Sequence, residues 1–134
     1  MVVFDTYAWV EYFIGSEKGR RVEDILKKGE GKTPSIVLGE LARKYLREGF
    51  EESEIRKRLE FISARTEIIG IDIETSIMAA KLYIELLEHA RKGDLRTPSL
   101  ADALIYAIAL LNEESLLTGD GLFKGLPKVE YIGD

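Results

Sequence analysis

Hydrophobic and polar positions follow two rhythms along this chain. Met1 to Phe4, Lys32 to Pro34, Glu67 to Ile71, Ser115 to Thr118 and Val129 to Ile132 read as short strands. Longer stretches with helical spacing lie between them. Thr6 to Ile14 reads as a short helix. Val22, Ile25 and Leu26 stand at i, i+3 and i+4, and Gly29 ends that second helix. Ser35 is the expected N-cap of a third helix, with Leu38, Leu41 and Tyr45 on one face and Gly49 at its end. Ile55, Leu59 and Ile62 mark a fourth. Asp72 can cap a long helix that runs to about Lys92, with Ile77, Ala80, Ile84 and Leu87 turned inward, before Gly93-Asp94 breaks it. Pro98 or Ser99 opens the most apolar helix, which runs to about Asn112.

Strands alternating with helices predict an α/β fold: a mostly parallel central sheet covered on both faces. In such sheets ligands bind beyond the carboxyl ends of the strands. No linker, repeat or low-complexity stretch interrupts residues 1–134, so one domain is expected.

Four carboxylates break the apolar pattern. Asp5 follows Val2-Val3-Phe4, and Glu40 follows Ile36-Val37-Leu38-Gly39. Asp102 interrupts Leu100 to Ala107, and Asp120 closes Leu116-Leu117-Thr118-Gly119. Acids are seldom buried unless they are paired or bind a metal, because desolvating an isolated charge is costly. Asp5 and Asp120 each follow a strand, so they fall on the same edge of the sheet. Asp102 lies in the first turn of its helix, near that edge. Glu40 lies about a turn and a half into its helix and must reach inward.

Each acid also has a plain explanation. Asp5 is a good N-cap. Asp102 stands three residues after Ser99, as in a capping box. Glu40 can pair with Arg43 or Lys44 on its own helix. Asp120-Gly121 can be a turn. The apolar setting of Asp102 and Glu40, and the shared sheet edge, favour one convergent site for divalent cations. Glu11 and Asp94 are weaker candidates. The remaining acids lie in polar stretches.

Composition narrows the chemistry. The chain has no cysteine, which removes disulfides, thiolate zinc sites and thiol nucleophiles. His89 is the only histidine and reads as a surface residue, so catalysis by a Ser-His-Asp triad is not expected. No apolar run approaches the roughly 20 residues that span a bilayer, and no signal peptide is visible. A cytoplasmic protein with no membrane association is the expectation. The formal charge of −5 argues against non-specific coating of nucleic acid. Cations bound to the four acids would weaken that argument.

Four segments carry a family resemblance. They are Phe4-Asp5-Thr6-Tyr7-Ala8-Trp9-Val10, Val37-Leu38-Gly39-Glu40, Ser99 to Ala107, and Leu117-Thr118-Gly119-Asp120-Gly121-Leu122-Phe123. In order, acid identity and spacing they resemble the PIN-domain ribonucleases, and among those the VapC-type toxins of toxin–antitoxin pairs. Singly the motifs are weak; together they are fairly specific and cover essentially the whole chain. The resemblance implies a three-layer α/β/α sandwich. It carries a metal-ligand role onto Asp5, Glu40, Asp102 and Asp120, and a supporting role onto Thr118. Thr6 matches a hydroxyl position beside the first acid. Tyr7 departs from the family, which often has a second hydroxyl residue there.

The resemblance implies Mg²⁺, or Mn²⁺, and hard carboxylate oxygens suit both. The implied reaction is RNA phosphodiester hydrolysis by an activated water, leaving 5′-phosphate and 3′-hydroxyl ends. The implied partners are an RNA substrate, an inhibitory antitoxin and a second copy in a homodimer. Arg43, Arg47, Arg56, Lys57 and Arg58 are candidate phosphate contacts, against a solvated helix face for each singly. Tyr7, Trp9, Tyr12 and Phe13 form an aromatic set of the kind enriched at interfaces, although core packing accounts for at least half of it. Two other readings compete. A phosphate-accepting signalling domain or an Asp-x-Asp phosphatase lacks its second acid, because Tyr7 stands there. A non-catalytic binding or assembly protein that kept the fold remains the main alternative.

Overall fold

A computed structural model describes all 134 residues. Five strands form one parallel sheet: β1 (Val2–Phe4), β2 (Gly31–Pro34), β3 (Glu67–Ile69), β4 (Ser115–Thr118) and β5 (Val129–Tyr131). Their spatial order is β3-β2-β1-β4-β5. Six helices connect them: α1 (Thr6–Ile14), α2 (Gly19–Lys27), α3 (Ser35–Arg47), α4 (Glu52–Arg65), α5 (Ile73–Lys92) and α6 (Leu100–Leu111). Connections step outward from β1 to β3, then return past them to β4. Right-handed crossovers then put α1 to α4 on one face and the α5–α6 pair on the other. The result is the expected three-layer α/β/α sandwich.

The core is built where the layers meet. Phe4 and Trp9 are fully buried and pack edge to face at 5.3 Å. Trp9 Nε1 donates to Thr33 Oγ1 at 3.1 Å, which ties α1 to β2, and the Thr33 and Thr66 hydroxyls lie 2.8 Å apart. A buried Trp thus has its one polar atom satisfied. α6 lies against β1 and β4 and is buried from Asp102 to Ala109.

The sequence reading needs several corrections. Ser35 does not cap α3. Pro34 is the N-cap and makes no side-chain bond, because β2 runs directly into the helix. β3 stops at Ile69, two residues short of the expected end. The facing of α5 is the larger miss. Thr75, Ala79, Leu82, Leu86 and Ala90 are buried, whereas Ile77 and Ile84 are 48% and 67% exposed. Two apolar stripes run along this helix, and periodicity alone could not say which one meets α6. His89 is also no free surface residue. It is half-buried, and its Nε2 lies 3.1 Å from the Leu122 carbonyl oxygen. Within the aromatic set of α1, Trp9, Tyr12 and Phe13 pack with Phe61 of α4. Only Tyr7 turns toward the acids.

Candidate active site

The strand order places a switch point between β1 and β4, where connections leave in opposite directions. In this register Phe4 pairs with Leu117, which sets Asp5 level with Thr118, two residues before Asp120. Asp5, Glu40, Asp102 and Asp120 all line one cavity of about 380 Å³ at this edge. Thr6, Tyr7, Glu11, Lys44 and Arg96 line it as well.

Three of the four acids also start a helical segment. Asp5 Oδ1 accepts the Ala8 N–H at 2.9 Å and caps α1. Asp102 Oδ2 accepts the Ser99 N–H at 2.7 Å, completing a capping box on α6. Asp120 Oδ1 accepts the Leu122 N–H at 3.0 Å at the start of a 3-10 turn, Gly121–Phe123. The plain readings of Asp5 and Asp102 as caps are therefore correct and do not compete with a role in the site. A cap takes one carboxylate oxygen and leaves the other for a second partner, which for Asp102 and Asp120 is the Arg96 guanidinium. It also gathers the positive ends of α1 and α6 around the acids.

Burial sharpens the electrostatics. Asp5 and Asp102 are only 6% and 8% exposed. Desolvation pushes the Asp5 carboxyl up to about 7. The Thr118 hydroxyl and the Ala8 N–H oppose this, while Asp120 and Glu40 add to it by like-charge repulsion. Thr118 is fully buried, and its Oγ1 also accepts the Asp120 N–H at 3.0 Å. Glu40 reaches inward and accepts a 2.6 Å bond from the Thr6 hydroxyl. It pairs with neither Arg43 nor Lys44, and Lys44 instead pairs with Glu48.

Arg96 is the residue that sequence reasoning missed. It lies in the connection between α5 and α6, and its guanidinium binds both Asp102 and Asp120. Two signals pointed to it: it precedes Asp102 by six residues, and its segment enters the helix at the acidic edge. The predicted basic residues sit elsewhere. Arg56 pairs with Glu52 on α4. Arg58 is stacked among Phe13, Tyr45 and Phe50 at 5.0, 4.8 and 4.7 Å, so its charge is committed to that cage. Arg47 and Lys57 are exposed and do not line the acidic cavity. Arg43 lines an adjoining cavity that shares Glu40. Glu11 lines the acidic cavity but accepts a bond from Ser16, and Asp94 is exposed outside it.

The matching family model is the PIN domain, aligned over residues 2–129. The chain belongs to the PIN domain family. No protein of curated function matches it in sequence. Solved structures share the fold of this PIN domain at low identity. A toxin–antitoxin complex from Klebsiella pneumoniae is 23% identical with a TM-score of 0.71, covering 100% of this chain and 99% of that one. VapC20 of Mycobacterium tuberculosis, described as a sarcin-ricin loop cleaving toxin, is 17% identical with a TM-score of 0.71, covering 97% and 98%. VapBC2 of Rickettsia felis, bound to a promoter DNA fragment, is 23% identical with a TM-score of 0.67, covering 98% of each chain.

The donor set of this PIN domain suits a hard divalent cation. It is all carboxylate oxygen, and the desolvated Asp5 has no cation of its own. The four acids nevertheless ring the cavity without closing: no three metal-ligating side chains stand together as a ready-made cluster. The Arg96 guanidinium bridges two of the acids, Asp102 and Asp120. No helix is long and apolar enough to cross a membrane.

Proposed function

We propose that this PIN domain, spanning residues 1–134, is a Mg²⁺- or Mn²⁺-dependent endoribonuclease and the VapC-type toxin of a toxin–antitoxin pair. The observation that carries the reading is the convergence of Asp5, Glu40, Asp102 and Asp120, from four separate segments, on one cavity at the switch point. The family match and the toxin–antitoxin complexes of the same fold support it.

Asp5, Asp102 and Asp120 would hold the cation through the oxygens not spent on capping. Glu40 would complete the set or take a proton from the attacking water. When bound, the cation lowers the pKa of water and stabilises the leaving 3′ oxygen. Thr118 holds the Asp120 backbone and faces Asp5. Thr6 fixes the Glu40 rotamer. Lys44 lines the cavity and would meet a phosphate on leaving its pair with Glu48. Arg43, Arg47 and Lys57 remain exposed cations available to a longer RNA. The cognate antitoxin would close the same cavity, and a cytoplasmic setting fits this role.

The reading extends to a homodimer. The exposed stripe Ile73, Ile77, Ile84 and Leu87 on α5 has the spacing of a helix–helix seam. A two-fold axis would lay it against its own copy.

A second reading is a non-catalytic binding protein that kept the PIN fold. The ion pairs of Arg96 with two of the four acids favour it, because they satisfy those acids without metal. Cleavage mapping on total RNA in Mg²⁺ decides between the two. The nuclease reading expects discrete cleavage by wild type, none in EDTA and none with Asp102→Asn. Intact RNA under all conditions, with no Mn²⁺ uptake by calorimetry, would establish the scaffold.

A further inference from the structure

Arg96 spends its whole donor set on the acidic cavity. Nε donates to Asp120 Oδ2 at 2.9 Å, and Nη2 donates to the same oxygen. Nη2 also donates to Asp102 Oδ1, and Nη1 to Asp102 Oδ2, both at 2.9 Å. The remaining Nη1 hydrogen goes to the Thr97 carbonyl at 3.3 Å. These are the five N–H groups a guanidinium has. The fork bridges two carboxylates that would otherwise repel each other at the rim of a cavity already holding Asp5 and Glu40. Its protonated form is held strongly, first by the bonds to Asp102 and then by those to Asp120, against the cost of burial.

The oxygens it takes are the ones a cation would need. Asp120 Oδ1 is committed to the Leu122 N–H, and Asp102 Oδ2 to the Ser99 N–H and hydroxyl. Asp102 Oδ1 and Asp120 Oδ2 are left for a ligand, and the guanidinium holds both. The backbone around it is anchored, because Pro98 is buried and Leu95 packs on the core. The Arg96 side chain itself is 45% exposed. It can therefore leave by rotating about its own bonds, without moving the chain.

We propose that Arg96 is an internal counter-ion that competes with the divalent cation for Asp102 and Asp120. It is a positioning residue. It balances the charge of the two acids in the absence of metal and weakens metal affinity by having to be displaced. This rests on the metal-site reading above and deepens it. A purely structural ion pair makes the opposite prediction, since losing it would disorder the ligands and weaken binding.

Calorimetry with Mn²⁺ alone, on wild type, Arg96→Gln and Arg96→Lys, separates the two. Competition expects Arg96→Gln to bind Mn²⁺ at least about tenfold more tightly than wild type, equivalent to ~1.4 kcal/mol. Arg96→Lys, a point charge without the fork, falls between them. The same order should appear in the Mn²⁺ concentration that half-saturates the thermal shift. Equal or weaker binding by Arg96→Gln overturns the proposal while leaving the metal site intact. No Mn²⁺ binding by any of the three overturns the metal-site reading and this proposal with it. If Arg96→Gln does not fold, Arg96→Lys alone decides: tighter binding than wild type supports competition, and equal or weaker binding refutes it.

Discussion

Thr6 Oγ1 donates a 2.6 Å hydrogen bond to Glu40 Oε1, joining the first turn of α1 to the middle of α3. Glu40 has no such partner on its own helix. The contact therefore selects the rotamer that brings a long, otherwise mobile carboxylate to the cavity beside Asp5.

Thr6→Val should free Glu40 without unfolding the domain. Bonds of this kind beside metal ligands cost about 10–100-fold in metal affinity or activity when removed. A half-buried hydrogen bond contributes only about 1 kcal/mol to folding. Cleavage rates and Mn²⁺ affinity should fall together while the urea midpoint moves little, and Thr6→Ser should restore both. Unchanged Mn²⁺ binding by Thr6→Val would remove Glu40 from the ligand set.

The acids were legible in the sequence because burial makes an unpaired carboxylate expensive, so an acid in an apolar run is a signal in itself. Arg96 carries only its nearness to Asp102 in sequence, and an arginine in a polar connection is ordinary until topology brings it to both acids. Arg58 shows the converse. It lies in a basic run that reads as a phosphate surface, yet three aromatic rings from other segments enclose it. The existence of α5 followed from its periodicity. Its facing did not, because Ile77 and Ile84 form as apolar a stripe as Leu82 and Leu86.

Asp5 makes stability depend on pH in an unusual direction. Its carboxyl is raised to about 7 in the fold from a reference of 3.8. The folded state thus holds a proton that the unfolded state has lost across this window. Stability falls as pH rises from about 4 to 7 and levels off above that. Between pH 5 and 8 the loss is about 2–3 kcal/mol for a shift of this size. Asparagine caps as well as aspartate, so Asp5→Asn should keep the fold without this dependence. Urea unfolding of the metal-free proteins at both pH values measures it. Parallel pH responses in wild type and Asp5→Asn would contradict the burial argument. Mn²⁺ affinity should rise through the same window, as Asp5 gives up its proton.

The two stripes of α5 predict different consequences for equal truncations. Leu86→Ala removes a buried side chain and should cost about 2–5 kcal/mol. Ile84→Ala should cost less than about 0.5 kcal/mol in the isolated monomer. If the exposed stripe is the seam of a homodimer, Ile77→Lys with Ile84→Lys should halve the mass seen by light scattering and leave the fold intact. An unchanged mass would move the seam elsewhere or remove it.

Gly119 is fixed by Tyr7. A Cβ at this position would overlap the Tyr7 ring, whose hydroxyl accepts a 3.2 Å bond from Lys18 Nζ, itself paired with Asp134 at 3.1 Å. The ring is therefore held at its far end and can yield only by breaking that chain or entering the acidic cavity, which it lines. Gly119→Ala should cost about 1–3 kcal/mol, the usual range for overpacking. It should also slow cleavage, because the displaced ring and backbone adjoin Asp120. Tyr7→Ala removes the obstacle, so adding Gly119→Ala to it should cost no more than about 0.5 kcal/mol, a coupling that a double-mutant cycle reads directly. Equal costs of Gly119→Ala in both backgrounds would mean that the glycine serves the backbone alone. The departure from the family at Tyr7 would then have no bearing on how Asp120 is placed.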